Sequence, residues 1–197
     1  KLAELNVQAI SVTPFGYLRA PDQPDFLLRS SSARSENDES LAQAKIFAKR
    51  LGMRVMLKPH ILTRGRDWGW PGAVKMNSAA DWEIFFNRYA RWMLHYAMLA
   101  EIYDFDGLCI GVELVQASYQ HESVWREMIA RWRGVYSGPM VYAANWGEEF
   151  ENLGFWDALD AIGLDCYYPL SDKENPTDDE LLAGANRISG KIEAVAK

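Results

Sequence analysis

The residues best suited to chemistry stand where apolar segments of the chain end. Five apolar segments are each followed directly by polar or aromatic side chains, at residues 13–17, 58–60, 113–116, 145–146 and 165–169. Parallel α/β folds bind and react at the C-terminal ends of their strands. Five segment ends of this kind therefore predict one shared rim that carries a functional site.

Glu113 is the strongest candidate for acid–base chemistry. A carboxyl group that closes an apolar strand lies at the edge of a region of low dielectric constant. Desolvation there raises its pKa, as a general acid requires. The alternative is a structural salt bridge with Lys58 or Arg64. The residues by themselves leave both interpretations open, because ion-pair networks perturb carboxyl groups as well.

His60 and Asp165 are weaker polar candidates. His60 could bind a substrate or orient Glu113, but a lone histidine beside an apolar segment is also typical of a hydrogen-bonded structural residue. Asp165 could contact a substrate or fix its own loop, and the residues favour the loop.

Seven of the 8 tryptophans divide into two groups by their spacing, while the spacing of Trp156 is ambiguous and favours packing. One group recurs at helical spacing on apolar stripes and is predicted to pack in the core: Trp82, Trp92, Trp125 and Trp132. The other group lacks that periodicity and follows the apolar segments: Trp68, Trp70 and Trp146. Flat rings in such positions can stack on a ligand.

The composition excludes several classes of protein. The 197 residues are 49% hydrophobic and 24% charged with a net charge of −6, which is typical of a globular domain and argues against a nucleic-acid partner. No apolar stretch approaches the roughly 18 residues of a membrane span. Two cysteines are too few for a disulfide framework, and no Cys/His spacing in the sequence matches a zinc site. Their number does not determine whether the protein works in a reducing or an oxidising compartment. Dinucleotide, P-loop and serine-hydrolase motifs are absent from the sequence.

The elements that would position these side chains alternate between strand and helix. Apolar strands without polar alternation, separated by amphipathic helices, predict a parallel sheet that is buried on both faces. Strands are predicted at 7–13, 53–59, 107–112, 139–144 and 161–165. Helices are predicted at 36–51, from 78 or 81 to 103, at 122–133 and at 186–197. A polar loop is expected from 14 to 32.

The length does not fit a closed eight-stranded barrel. Such a barrel takes about 250 residues, so this chain holds about six of its units. An open α/β sheet and a fragment of a barrel both stay possible on this count. The first residue is Lys1, and the helix-like ends at 1–6 and 186–197 favour a piece of a longer fold.

Four motifs carry a resemblance to a known family: residues 55–61 (VMLKPHI), 110–114 (IGVEL), 142–146 (YAANW) and 155–170 (FWDALDAIGLDCYYPL). They resemble glycoside hydrolase family 113, whose members are retaining, β-mannanase-like TIM (β/α)₈ barrels with catalytic glutamates on strands four and seven. The resemblance extends from about residue 7 to 170. Its last motif is long and fairly specific, whereas the other three are short.

This resemblance implies an incomplete barrel. The five strands become barrel strands two to six of a single domain over residues 1–197, which lacks strand one and strands seven and eight. Glu113 becomes the acid/base at the end of strand four, and the nucleophile lies on strand seven, outside this sequence. A retaining mechanism needs two carboxyl groups about 5–5.5 Å apart, so this chain would not be a complete catalyst.

The other candidates then become substrate-binding residues. The polar members of this set are Lys58, His60, Asn145 and Asp165. The expected stacking platforms are Trp68, Trp70 and Trp146, while Tyr167 or Tyr168 would reach towards the missing nucleophile.

The expected substrate is a β-linked oligo- or polysaccharide such as β-1,4-mannan. This chemistry requires no cofactor and no metal. No nucleic-acid partner and no membrane span are expected, and the compartment is undetermined, with a lean towards a secreted or periplasmic location.

One departure from the family pattern supports a second hypothesis. The wider clan usually has Asn before the acid/base to contact the sugar 2-hydroxyl, where this chain has Val112. Since valine cannot make that hydrogen bond, the alternative is a carbohydrate-binding barrel that has lost catalysis.

Overall fold

The computed structural model of the chain describes residues 2–27, 36–63 and 69–197. In chain order, the strands described are β1 (Ala9–Val12), β2 (Phe15–Leu18), β3 (Phe26–Leu27), β4 (Arg54–Leu57), β5 (His60–Thr63), β6 (Gly107–Val112), β7 (Met140–Asn145) and β8 (Ala161–Asp165). The α-helices described are α1 (Asp38–Arg50), α2 (Ala79–Ile102), α3 (Val115–Gln120), α4 (Glu122–Arg133), α5 (Glu148–Asn152) and α6 (Asp178–Val195).

The main sheet confirms the predicted α/β class. Its five strands run in the order β1-β4-β6-β7-β8, and every neighbouring pair is parallel. The strand order never reverses, so the sheet is not doubly wound.

This sheet curls into a half-barrel. A contact between side chains at the ends of β4 and β8, which lie three places apart in the sheet, shows how far it curls. Lys58 follows β4 and Asp165 ends β8, and three strand spacings of a flat sheet would separate those strands by about 14 Å. Nevertheless, Lys58 Nζ lies 3.6 Å from Asp165 Oδ1. The two side chains meet across the concave face, which places the strand ends of the sheet around one hollow.

A second, smaller sheet stands above the C-terminal edge of the first. Its order is β3-β2-β5, and β2 pairs with β5 in parallel. Pro14 separates β1 from β2 and Pro59 separates β4 from β5, and proline has no N–H to continue a ladder. Backbone hydrogen bonds from Lys58 N to Val12 O and from His60 N to Pro14 O carry the pairing across this break, each at 2.9 Å. The first part of the predicted polar loop is therefore a strand that extends the wall of the hollow.

Aromatic side chains from α2 and α4 form the centre of the core, as their spacing predicted. Trp125 and Trp132 are fully buried and Trp92 is 6% exposed, whereas Trp82 is only partly buried. The indole N–H of Trp125 donates to Ala117 O at 3.0 Å, and that of Trp132 donates to Ala90 O at 3.1 Å. Buried indoles need such partners, so these tryptophans are core residues with satisfied polar atoms.

The apolar stripe of α1 predicts that one face of the helix is buried, the face with Leu41, Ala44, Phe47, Ala48 and Leu51, but the helix is rotated from that orientation. Phe47 and Leu51 are 58% and 61% exposed, while Lys45 is buried. The Lys45 ammonium forms an ion pair with Asp106, which also accepts a hydrogen bond from Val55 N at 2.7 Å. The buried face of α1 thus carries a paired cation, as a buried charge requires, and Phe47 and Leu51 lie on its exposed side.

Helix α6 begins eight residues before its predicted start. The Thr177 hydroxyl accepts from Glu180 N, and the Glu180 carboxylate accepts from Thr177 N, which is a capping box. Gly184 and Gly190 lower the helix propensity of the segment, so the sequence pattern does not reveal its first half.

Among the described helices, none combines the length and hydropathy needed to cross a membrane.

Candidate active site

A backbone irregularity places Glu113 at the end of β6. The register between β6 and β7 shifts between Cys109 and Val112, so β6 carries a bulge there. Glu113 follows with φ of 48°, in the left-handed region. For a residue other than glycine, such a conformation costs on the order of 1 kcal/mol or more and persists only when its surroundings hold it. Its own N–H donates to Ala143 O at 2.9 Å.

The Glu113 carboxyl group is bound by a tryptophan. The indole N–H of Trp70 donates to Glu113 Oε2 at 2.5 Å. Burial raises the pKa of Glu113 above the ordinary glutamate value, and the charge of Asp165 raises it as well. The Trp70 hydrogen bond and the charge of Lys58 act in the opposite direction. The sequence predicts a stacking platform at Trp70, and the contact that the structure gives its indole N–H is this hydrogen bond to the carboxyl group.

Lys58 and Asp165 pair with each other across the hollow. The ion pair described for Lys58 is thus with Asp165, and the structural salt bridge considered between Lys58 and Glu113 is not formed. Arg64 and Trp68 lie outside the described residues. The candidate acid therefore faces an ion pair whose two charges have opposing effects on its proton.

This arrangement predicts pKa changes of opposite sign in two variants. Trp70→Phe removes a donor that stabilises the ionised carboxylate, so the pKa of Glu113 is expected to rise. Asp165→Asn removes a negative charge and leaves Lys58 unpaired, so that pKa is expected to fall. A ¹³C NMR titration of the Glu113 carboxyl carbon measures both. In kinetics, the basic limb of the kcat/KM profile should move to higher pH in Trp70→Phe and to lower pH in Asp165→Asn. Shifts of the same sign would contradict this electrostatic account.

Val112, the residue before Glu113, packs inside the concave layer. It is 4% exposed and contacts Cys109, Ala143, Met56 and Val141. The bulge in β6 directs Cys109 and Val112 into the same cluster although their spacing is odd. At this position the chain therefore offers neither a hydrogen bond nor an exposed surface.

Asn145 and Trp146 lie at the end of β7, next to the end of β8. Asn145 pairs with Asp165 in the sheet, and its side-chain amide donates to Trp146 O at 3.1 Å. The ring of Trp146 is 37% exposed and its centroid lies 5.3 Å from that of Tyr168. The Tyr168 hydroxyl donates to Glu151 Oε1 at 2.8 Å. Tyr167 is 75% exposed.

His60 begins β5 and bonds locally. Its Nδ1 lies 2.8 Å from Ile61 O, and since a carbonyl oxygen only accepts, Nδ1 carries the proton. Its ring centroid lies 5.8 Å from that of Phe15. Burial lowers the pKa of His60 below the ordinary histidine value, which favours the neutral ring. In the described part of the chain, no hydrogen bond joins His60 to Glu113.

Glu149 is a buried carboxylate that the sequence interpretation missed. It is 1% exposed and accepts hydrogen bonds from Ser118, Tyr142 and Asn145. Burial raises its pKa, and these three hydrogen bonds oppose the rise. In the sequence, Glu148, Glu149 and Glu151 form an acidic run after a strand, which is typical of a solvated helical turn. No local signal separates Glu149 from its exposed neighbour Glu148.

Residues 2–27, 36–63 and 69–197 contain no group of three His, Cys, Asp or Glu side chains that could hold a metal ion.

Comparison with solved structures finds close relatives of this fold. The family 113 β-mannanase of Alicyclobacillus acidocaldarius, solved in complex with ManMIm, is 30% identical with a TM-score of 0.81, covering 100% of this chain and 60% of that one. A further family 113 β-1,4-mannanase is 26% identical with a TM-score of 0.75, covering 96% and 60%. A fungal β-1,4-galactanase, at 14% identity and a TM-score of 0.60, shares the fold.

This chain therefore spans about 60% of the length of the solved mannanases that it matches. None of the curated proteins compared with it matches. The sequence matches the family model of Glycoside Hydrolase Family 113 over residues 1–192, which is nearly the whole chain. Together with the half-barrel and the mannanase neighbours, this match shows that the chain belongs to glycoside hydrolase family 113.

Proposed function

We propose that the protein carrying this chain is a retaining glycoside hydrolase that cleaves a β-linked polysaccharide, with β-1,4-mannan as its substrate. The observation that supports this most directly is the environment of Glu113. A carboxyl group with a raised pKa closes a strand of the half-barrel and faces its hollow. The mannanase relatives support the choice of mannan.

In this proposal Glu113 acts first as an acid and then as a base. Its raised pKa keeps a proton available for the leaving glycosidic oxygen. Trp70 occupies Oε2, so Oε1 is the oxygen left for the substrate. Once the proton has gone, the Trp70 N–H stabilises the ionised carboxylate, which then takes a proton from the attacking water.

The surrounding residues would bind the sugar. Lys58, His60, Asn145 and Asp165 would contact hydroxyl groups. Trp146 offers a partly exposed ring for stacking, and Trp68 and Trp70 would complete the platforms. Tyr167 or Tyr168, in the loop after β8, would reach towards the nucleophile.

The second carboxylate would come from outside residues 1–197. The main sheet has β1 and β8 as its outer strands among the described residues. We propose that they correspond to strands two and six of a closed barrel, and that strand seven supplies the nucleophile about 5–5.5 Å from Glu113.

Incubation of the full-length protein with β-1,4-mannan, cellulose, xylan and β-1,4-galactan tests this function. Mannan is expected to release mannooligosaccharides fastest. Early ¹H NMR spectra of the products should show the β-anomer before mutarotation. If the α-anomer forms first, the enzyme inverts and the proposed mechanism is wrong.

An inactive carbohydrate-binding barrel is the second candidate function. The buried Val112 favours it, because this side chain cannot take the place of a hydrogen-bonding residue beside the acid. Retention on mannan in affinity electrophoresis, without release of any oligosaccharide, would support this alternative over hydrolysis.

A further inference from the structure

A buried hydrogen-bond network connects the ends of β6 and β7 behind Glu113. Its centre is Glu149, which is 1% exposed. Glu149 Oε1 accepts from Ser118 Oγ at 2.5 Å and from the Tyr142 hydroxyl at 2.6 Å. Glu149 Oε2 accepts from the backbone N–H of Asn145 at 2.6 Å. Three donors converge on one carboxylate, so both of its oxygens are engaged.

The Tyr142 hydroxyl has a fixed orientation in this network. It lies 2.8 Å from the backbone nitrogen of Leu114, and an N–H can only donate. The hydroxyl therefore accepts from Leu114 and gives its single proton to Glu149. Tyr142 is fully buried and Leu114 is 1% exposed, so water has no access to take over either bond.

These bonds hold the backbone on both sides of the left-handed residue. The N–H of Glu113 itself donates to Ala143 O, and the next N–H along the chain donates to the Tyr142 hydroxyl. The Tyr142 ring packs closely against the backbone of Gly111. A Cβ atom built on that glycine would lie only 2.6 Å from Cε2 of the ring, so there is no space between them for a side chain. Two consecutive N–H groups, at the residue with the unusual φ and at the one after it, are therefore each held by a hydrogen bond.

We propose that Glu149 is a positioning residue for the acid/base. Acting through Tyr142, it holds Glu113 in the left-handed conformation that directs the carboxyl group to Trp70, and through the backbone of Asn145 it keeps the end of β7 beside it. The catalytic part of this inference rests on the proposed function, whereas the structural part does not.

Tyr142→Phe is the first variant to examine in the full-length protein. It removes one hydroxyl, retains the ring and leaves the Leu114 N–H without a partner. Glu149→Gln is the second variant, since an amide has only one acceptor oxygen for three donors. Tyr136→Phe is the matched control. Tyr136 is 2% exposed, and its hydroxyl donates to Phe105 O at 2.8 Å. Tyr136 precedes β7 and Phe105 precedes β6, so this hydrogen bond lies at the opposite end of these strands from Glu113.

Two readouts separate positioning from simple stabilisation. With β-1,4-mannan as the substrate, kcat is expected to fall by about 10- to 100-fold in Tyr142→Phe and Glu149→Gln, since a small misplacement of a catalytic group costs up to about that much. KM should change by less than about threefold. The indole N–H proton resonance of Trp70, assigned from its loss in Trp70→Phe, should shift in both variants. Tyr136→Phe should alter only the melting temperature.

An unshifted Trp70 resonance in Tyr142→Phe, or a kcat within twofold of the wild type, would overturn the inference. These experiments distinguish a failure of the positioning role of Glu149 from a failure of the proposed hydrolase function. Wild-type protein without hydrolase activity would refute the proposed function, while the Trp70 resonance would still decide whether Glu149 and Tyr142 position Glu113.

Discussion

Replacing Glu113 with alanine in the full-length protein is expected to lower the rate of hydrolysis of a natural mannooligosaccharide by about 10²- to 10⁴-fold. The sugar leaving group is a poor one and needs the proton that Glu113 supplies. Measurement of kcat/KM by product release tests this directly. Glu148→Ala is the control, because Glu148 is an exposed neighbour of the site and should have unchanged rates.

The choice of substrate separates catalysis from structure in this variant. An activated aryl glycoside needs little acid assistance, so formation of the glycosyl-enzyme should survive better in Glu113→Ala. The second step would still lack its base. Added azide, a nucleophile that needs no base, should partly restore turnover and yield a β-glycosyl azide.

A structural role for Glu113 gives a different result. Both substrates would be impaired alike, azide would have no effect, and the melting temperature would fall. Alanine at φ of 48° meets the same backbone cost as glutamate, so the substitution by itself should change stability little. A marked loss of stability without azide rescue would therefore return Glu113 to the structural interpretation.

Two glycines of α6 should respond oppositely to the same substitution. A Cβ at Gly184 would lie 1.9 Å from Leu170 O and 2.7 Å from its carbonyl carbon, so the helix would have to move. A Cβ at Gly190 would meet nothing within 4 Å. Overpacking typically costs about 1–3 kcal/mol, and removing an exposed helical glycine gains about 0.5–1 kcal/mol. Gly184→Ala should lower the free energy of unfolding, and Gly190→Ala should raise it.

Urea denaturation of the two variants measures this difference, with each glycine serving as the control for the other. The displaced helix also carries Lys191, which binds Glu151 at 2.7 Å, and Glu151 holds the Tyr168 hydroxyl. Gly184→Ala should thus raise KM for mannan as well. Equal stability of the two variants would show that α6 does not dock closely on Leu170.

Local patterns predicted the framework of this protein well. The continuous apolar strands gave five parallel strands in chain order, and helical spacing placed the core tryptophans of α2 and α4. The prediction failed where a long-range contact overrode the pattern. Lys45 is buried in an ion pair with Asp106, whereas Phe47, on the apolar stripe of the same helix, is exposed. The strand β2 was missed because its pairing partner, β5, stands more than forty residues away.

By itself, the sequence determined that Glu113 closes a buried strand, because strand ends and burial follow from the order of apolar and polar residues. The tertiary structure decided what surrounds that carboxyl group. Trp70 donates to it from 43 positions away, Lys58 meets Asp165 only because the sheet curls, and Glu149 is buried while Glu148 is exposed. Periodicity along the chain carries information about which face of an element is buried. Partners across the hollow depend on the curl and on the bulge of β6, which arise from packing between distant segments.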